Sequence, residues 1–164
     1  MALSTRAARM QGRVTHSLAF WFWMLAKLPA ALWCGVRLHR LDEMGCTTSV
    51  PYGWRSQNPF RSTYFAAQAM AAELSTGALV LLAVEDAGMP ISTLILDIHG
   101  TFGKKATRRV TFRCDAGAEI FAAVAEAKAT GEARVVSVET VGTMDDGTET
   151  SRFRFTWSMK AKQR

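Results

Sequence analysis

Cysteine is scarce in this chain and does not pair. Cys34, Cys46 and Cys114 are odd in number, far apart and without C-x-x-C spacing, which disfavours a disulfide framework and a zinc site. A reducing, cytoplasmic setting is the expectation. Histidine is equally sparse: His16, His39 and His99 show no ligand spacing, and neither a metal nor a bound cofactor is expected. Internal repeats and low-complexity tracts are missing. So is a clean membrane span, because the most apolar segment, HSLAFWFWMLAKLPAALWCGV from His16 to Val36, is interrupted by Lys27 and Pro29. A charge near the middle of a span is costly and a proline breaks its backbone ladder. No A-x-A-like cleavage site follows, which fits a signal peptide badly.

What is present bounds the fold. With 164 residues, 49% of them hydrophobic, the chain can bury a core without staples. The formal charge of +6 sits in the ends: Arg6, Arg9 and Arg13 precede the body and Lys160, Lys162 and Arg164 follow it. The 20 basic residues less these six leave 14, against 14 acidic ones. A balanced body with cationic tails lacks the concentrated patch that phosphate backbones require, so no nucleic acid is expected as partner. Residues 1–15 and 160–164 are expected to be flexible basic tails around a single domain over 16–159. Within it, 16–35 forms a leading helix that packs on the domain or on a partner subunit, with weak membrane-surface contact as a second reading.

Along the body, VRLHRL (Val36 to Leu41) and CTTSVPY (Cys46 to Tyr52) read as strands around the turn at Asp42 to Gly45. A long helix is expected from a Ser62 cap to about Val84. ISTLILDIHGT (Ile91 to Thr101) hardly alternates, which predicts a central strand covered on both faces. Arg109 to Cys114 alternates, Ala116 to Ala129 has helical spacing ended by Gly131, and two strands flank the hairpin signal Asp145-Asp146-Gly147. The order predicts an α+β fold: five or six antiparallel strands curled around one apolar helix, with an extra N-terminal helix.

That helix carries one carboxylate. At 3.6 residues per turn Ala66, Ala69, Met70, Thr76, Gly77 and Val80 share the face of Glu73. The acid thus borders a trough of small side chains, where desolvation raises its pKa toward values useful for proton transfer. The amides after Ser62 could hold an oxyanion. Pairing of Glu73 with Arg61 or Arg55 is the structural alternative. Likewise Asn58-Pro59 can be an ordinary turn, Ser62 and Thr63 caps, and Lys104, Lys105, Arg108 and Arg109 a solvated basic turn.

Asn58 followed fifteen positions on by Glu73, with the pattern D-G-T-x-x-S-x-x-x-x-x-W from Asp146 to Trp157, resembles the hotdog-fold acyl-CoA thioesterase superfamily, in a branch related to phenylacetyl-CoA thioesterases. The resemblance covers about Val36 to Met159. It implies hydrolysis of an acyl-CoA or related acyl thioester, with Glu73 as general base or nucleophile and Asn58 orienting water or thioester across the interface of a homodimer or tetramer. It also implies substrate contacts at Ser62, Thr63, Tyr64, Phe65, Ala66, Met70 and Gly77, and coenzyme A phosphates, as part of the substrate, on Lys104, Lys105, Arg108 and Arg109. The chain departs from the pattern where relatives carry His-Gly-Gly, having Tyr64, Phe65 and Ala66 instead. That bulk at the carbonyl site makes a non-catalytic acyl-chain or acyl-carrier binding protein the alternative.

Overall fold

Twenty-three residues of one helix, Phe65–Ala87, decide the architecture, because they are apolar on nearly every side and must be enclosed. The computed structural model describes residues 3–162. Its elements in chain order are α1 (Thr5–Thr15), α2 (Ser17–Lys27), α3 (Pro29–Trp33), β1 (Arg37–Leu41), β2 (Cys46–Val50) and α4 (Phe65–Ala87). β3 (Ile91–Phe102), β4 (Val110–Cys114), α5 (Gly117–Thr130), β5 (Arg134–Met144) and β6 (Glu149–Ala161) follow. The six strands form one antiparallel sheet in the order β1-β2-β4-β5-β6-β3, curled around α4 as the hotdog fold requires.

Small residues let α4 lie close to the sheet. Ala67, Ala71, Ala72, Ser75 and Ala78 are buried, and Leu79 and Leu82 fill the core beside Phe112 and Phe155. Each fully buried leucine stabilises the fold by about 1.5–3 kcal/mol. Hydroxyls complete the junction: Thr48 Oγ1 donates to Ala71 O at 2.6 Å, and Ser75 Oγ donates to Thr140 Oγ1 at 2.8 Å. Among the described residues α4 alone is long and apolar enough to cross a membrane, and it is the core helix.

Four expectations are corrected. The segment read as a flexible N-terminal tail is helical from Thr5 to Thr15: Ser4 Oγ accepts the Ala7 amide, Ala7 and Val14 are buried, and Gln11 Nε2 donates to Leu41 O at 2.8 Å. The leading helix is two, α2 and α3, split at Leu28 because the residue before a proline is pushed out of helical geometry. At the other end β6 runs to Ala161 and the Lys162 amide donates to Pro90 O at 3.0 Å; Arg164 lies outside the described residues. Finally, β3 is an edge strand rather than a central one. Its apolar residues Leu94, Leu96 and Ile98 stand 62%, 54% and 55% exposed.

The β1–β2 turn is seated against the start of α5, where a Cβ on Gly117 would lie 2.2 Å from Glu43 O and 2.7 Å from Met44 C. Both are backbone atoms that cannot step aside. Gly117→Ala is expected to destabilise the fold by about 1–3 kcal/mol or more. Gly12→Ala in α1, where an added methyl meets nothing within 4 Å, is expected to gain about 0.5–1 kcal/mol. Denaturant midpoints of the two variants check the contrast.

Candidate active site

Glu73 sits eight residues into α4, about 12 Å along the axis from its start at 1.5 Å per residue. The sheet covers the opposite side of the helix, leaving Ala66, Ala69, Met70 and Glu73 half-buried as a stripe at i, i+3, i+4 and i+7. Beside the carboxylate is a cavity of about 420 Å³ bounded by Trp23 and Lys27 of α2, by Leu28 after it, by Gly77 and Val80 of α4, and by Thr93 and Trp157.

Gly77 is what lets Glu73 lie flat along its own helix. A Cβ there would fall 2.7 Å from Glu73 Oε1 and 3.5 Å from the Trp157 ring. Trp157 is held by its indole N–H, which donates to Thr76 Oγ1 at 3.2 Å, while Thr76 Oγ1 donates to the Glu73 carbonyl at 3.0 Å. Among the described residues neither an ion pair nor a hydrogen bond engages the Glu73 carboxylate; Arg55 lies over the Trp33 ring instead, at 5.7 Å from its centroid. Burial alone therefore acts on the acid and pushes its pKa above the ordinary carboxylate value.

Asn58 lies elsewhere. With Ser62, Thr63, Tyr64, Phe65, Gln68, Lys104 and Lys105 it lines a second hollow, of about 460 Å³, at the start of α4. Its amide organises its own loop: Oδ1 accepts the Phe60 and Ser62 amides at 3.0 and 3.2 Å, and Nδ2 donates to Ser62 Oγ at 3.1 Å. Arg61 takes a left-handed φ of 58° in that turn. Ser62 is consequently not the helix cap, and α4 begins two residues later than a Ser62 cap would give, at Phe65. Thr63 is drawn into extended geometry because both its amide and its hydroxyl donate to Ala106 O, at 2.7 and 3.2 Å.

Thus one chain divides the anticipated site. Ser62, Thr63, Tyr64 and Phe65 gather around Asn58, Gly77 joins Glu73, and Ala66 and Met70 lie on the stripe between. Tyr64 and Phe65 do not plug the helix start; they are 46% and 56% exposed and meet edge-on at 4.8 Å. No side chain among the described residues caps the first turn of α4, whose N-cap Tyr64 and residues Phe65 and Gln68 border the Asn58 hollow. Of the basic cluster, Lys104 and Lys105 line this hollow, whereas Arg108 pairs with Asp145 at 3.3 Å and Arg109 acts near His39.

Three contributors to these sites were not expected from the sequence. Gln68 is buried, donates to Thr63 O at 3.2 Å and accepts from Ser151 Oγ at 2.9 Å; its isolation among alanines is the same signal that marks Glu73. Trp157 belongs to the C-terminal pattern, yet nothing in that pattern makes it a wall of the acid's cavity. The part played by Trp23, Lys27 and Leu28 has no sequence signal, since it depends on where α2 docks.

A raised carboxyl has a consequence for stability. Between the ordinary carboxylate pKa and the raised one, the unfolded chain has lost the proton that the folded chain retains. Stability therefore falls as pH rises through that window. Glu73→Gln is expected to abolish this slope and to match or exceed the wild type at neutral pH, as read from denaturant midpoints at acid and neutral pH.

Comparisons place this geometry. The fold is shared with a protein of unknown function from Chlorobaculum tepidum (13% identity, TM-score 0.75, covering 89% of this chain and 94% of that one). It is shared too with a thioesterase from Haemophilus influenzae (14%, 0.61, 84% and 87%) and a thioesterase from Pseudomonas aeruginosa solved as a point mutant (15%, 0.60, 88% and 94%). Identities this low carry the fold alone. No curated protein sequence matches the chain. A family model does, over residues 17–159, and the chain belongs to that family, a domain of unknown function named DUF4442, on a thioesterase-like hotdog fold.

Proposed function

We propose that the protein hydrolyses an acyl thioester, with Glu73 activating water at the mouth of the cavity walled by Trp157 and α2. The observation that carries this reading is a desolvated carboxylate without a bonding partner beside an apolar space. In the step proposed, Glu73 takes a proton from water, whose oxygen adds to the thioester carbonyl. Collapse of that adduct breaks the carbon–sulfur bond and releases the thiol, and the Glu73 proton goes to the leaving sulfur. Coenzyme A enters only as part of the substrate, its phosphates meeting Lys104 and Lys105, and a cytoplasmic setting is proposed with it.

A homodimer would complete this site. Ile98 pairs with Phe155, and Phe102 with Ser151. Phe155 and Ser151 are buried on the helix-facing side, and directly opposed residues share a face. Yet Ile98 and Phe102 are 55% and 51% exposed, so the inner face of β3 projects beyond the cover of its own helix. With the half-buried stripe of α4, this is a surface for a second copy. Such a copy supplies its own Asn58 hollow to the Glu73 of the first and so joins the two halves of the site.

One observation favours the alternative of an acyl-chain or acyl-carrier binding protein: the Asn58 amide is already engaged within its own turn. Free-thiol release from a panel of acyl-CoA substrates, aryl-acetyl thioesters included, separates the two. Turnover is expected, rising with pH through the raised Glu73 pKa, and Glu73→Gln and Glu73→Ala are expected to lower it by about 10²–10⁴-fold. Undiminished turnover in both variants removes Glu73 from the mechanism; tight binding of acyl-CoA without turnover favours the binding protein.

The dimer has its own check. Ile98→Lys with Phe102→Lys is expected to shift the sedimenting species to a monomer and to abolish turnover while leaving the fold intact by circular dichroism. A monomeric wild type, or full turnover in a monomeric variant, overturns the shared site.

A further inference from the structure

The helical pair α1–α2 leaves one face with no place in the site or in the β3 surface. On α2, Leu18, Trp21, Phe22 and Leu25 recur at i, i+3, i+4 and i+7 and so line one side of the helix. They are 66%, 38%, 63% and 49% exposed, whereas Phe20 and Met24 on the other side are buried. The helix is thus apolar on two faces, and only one of them is occupied by its own domain.

The two helices that present this face are cationic. A hollow of about 700 Å³ between them is lined by Arg6, Arg9, Met10 and Arg13 of α1 and by Phe20 and Trp23 of α2. Glu85 holds Arg6, and no ion pair among the described residues engages Arg9 or Arg13. From its start to Asp42 the sequence contains no carboxylate at all, while it carries Arg6, Arg9, Arg13, Lys27, Arg37 and Arg40.

Charge decides between occupants. A second copy docked here would bring two acid-free, cationic α1–α2 segments together, at a cost. An anionic bilayer offers phosphates to the arginines and a hydrocarbon boundary to the aromatic ridge, the arrangement by which amphipathic helices lie in a membrane interface. We propose that α1–α2 is an interfacial anchor that docks the protein on anionic lipid surfaces, with Leu18, Trp21, Phe22 and Leu25 entering the headgroup boundary and Arg9 and Arg13 on lipid phosphates. This holds whether or not Glu73 is catalytic.

Co-flotation of the full chain with vesicles tests it. Phosphatidylcholine vesicles containing phosphatidylglycerol are expected to carry the wild type upward, and pure phosphatidylcholine vesicles far less. Trp21→Ser with Phe22→Ser is expected to lower recovery at least tenfold. Arg9→Glu with Arg13→Glu is expected to lower it as far and to remove its sensitivity to salt. Val135→Ser, an exposed apolar residue on β5, serves as a control expected to float like the wild type. Circular dichroism melts establish that each variant is folded. A wild type that does not float, or a folded Trp21/Phe22 double variant that floats undiminished, overturns the anchor. So does a double variant that floats less only because sedimentation shows its oligomer has dissociated, which assigns the ridge to a second copy.

Discussion

Enclosure of α4 is the constraint on which the rest depends. A helix that reads Ala-Ala-x-x-Ser-x-x-Ala on its buried side can approach a sheet closely enough for hydroxyls to bridge the two. That is why Thr48 reaches the Ala71 carbonyl and Ser75 reaches Thr140. The same closeness leaves little room for solvent on the flanks of the helix. A carboxylate placed there loses water without being compelled to gain a partner.

Two polar side chains on α4, five residues apart, show what that means. Gln68 is buried with its amide nitrogen and oxygen both engaged, so it costs the fold little and fastens β6 to the helix start. Among the described residues no hydrogen bond or ion pair engages the Glu73 carboxylate, and the fold bears its desolvation through a raised pKa. A satisfied buried amide is a structural device. A half-buried acid without a protein partner beside a cavity lowers stability at neutral pH, and its retention is intelligible where chemistry uses it to accept and return a proton.

Much of this is legible in the order of residues alone. Element order, the hairpin at Asp145 to Gly147, the α5 stop at Gly131 and the trough around Glu73 are local matters of periodicity and turn chemistry, and six antiparallel strands around one helix follow from them. What stays hidden depends on distant partners. β3 reads as a covered strand because an apolar run looks alike whether its cover is its own chain or something else. Ser62 reads as a cap, but Asn58 engages its hydroxyl and Ala106 holds the next residue extended. α1 reads as a loose tail because, although its Ser4 cap is local, its anchor on Leu41 becomes visible only when β1 is in place. The separation of Asn58 from Glu73 belongs to the same class: a spacing of fifteen in sequence says nothing about which chain closes the gap.

The dual character of α2 ties these matters together. Its inner residues Trp23 and Lys27 wall the Glu73 cavity, and its outer ridge is bare on the opposite side of the same eleven-residue helix. A helix is about 10–12 Å across with its side chains, so whatever the ridge rests on lies about one helix diameter from the cavity that Glu73 lines. Nothing in the enclosure of α4 requires that ridge to be apolar, since Phe20 and Met24 already fasten α2 to the domain. Polar residues at Leu18, Phe22 and Leu25 would leave the core unchanged. On the anchor proposed above, their apolar character answers to a lipid boundary, and the run of cations without a carboxylate in the same segment answers to its negative charge.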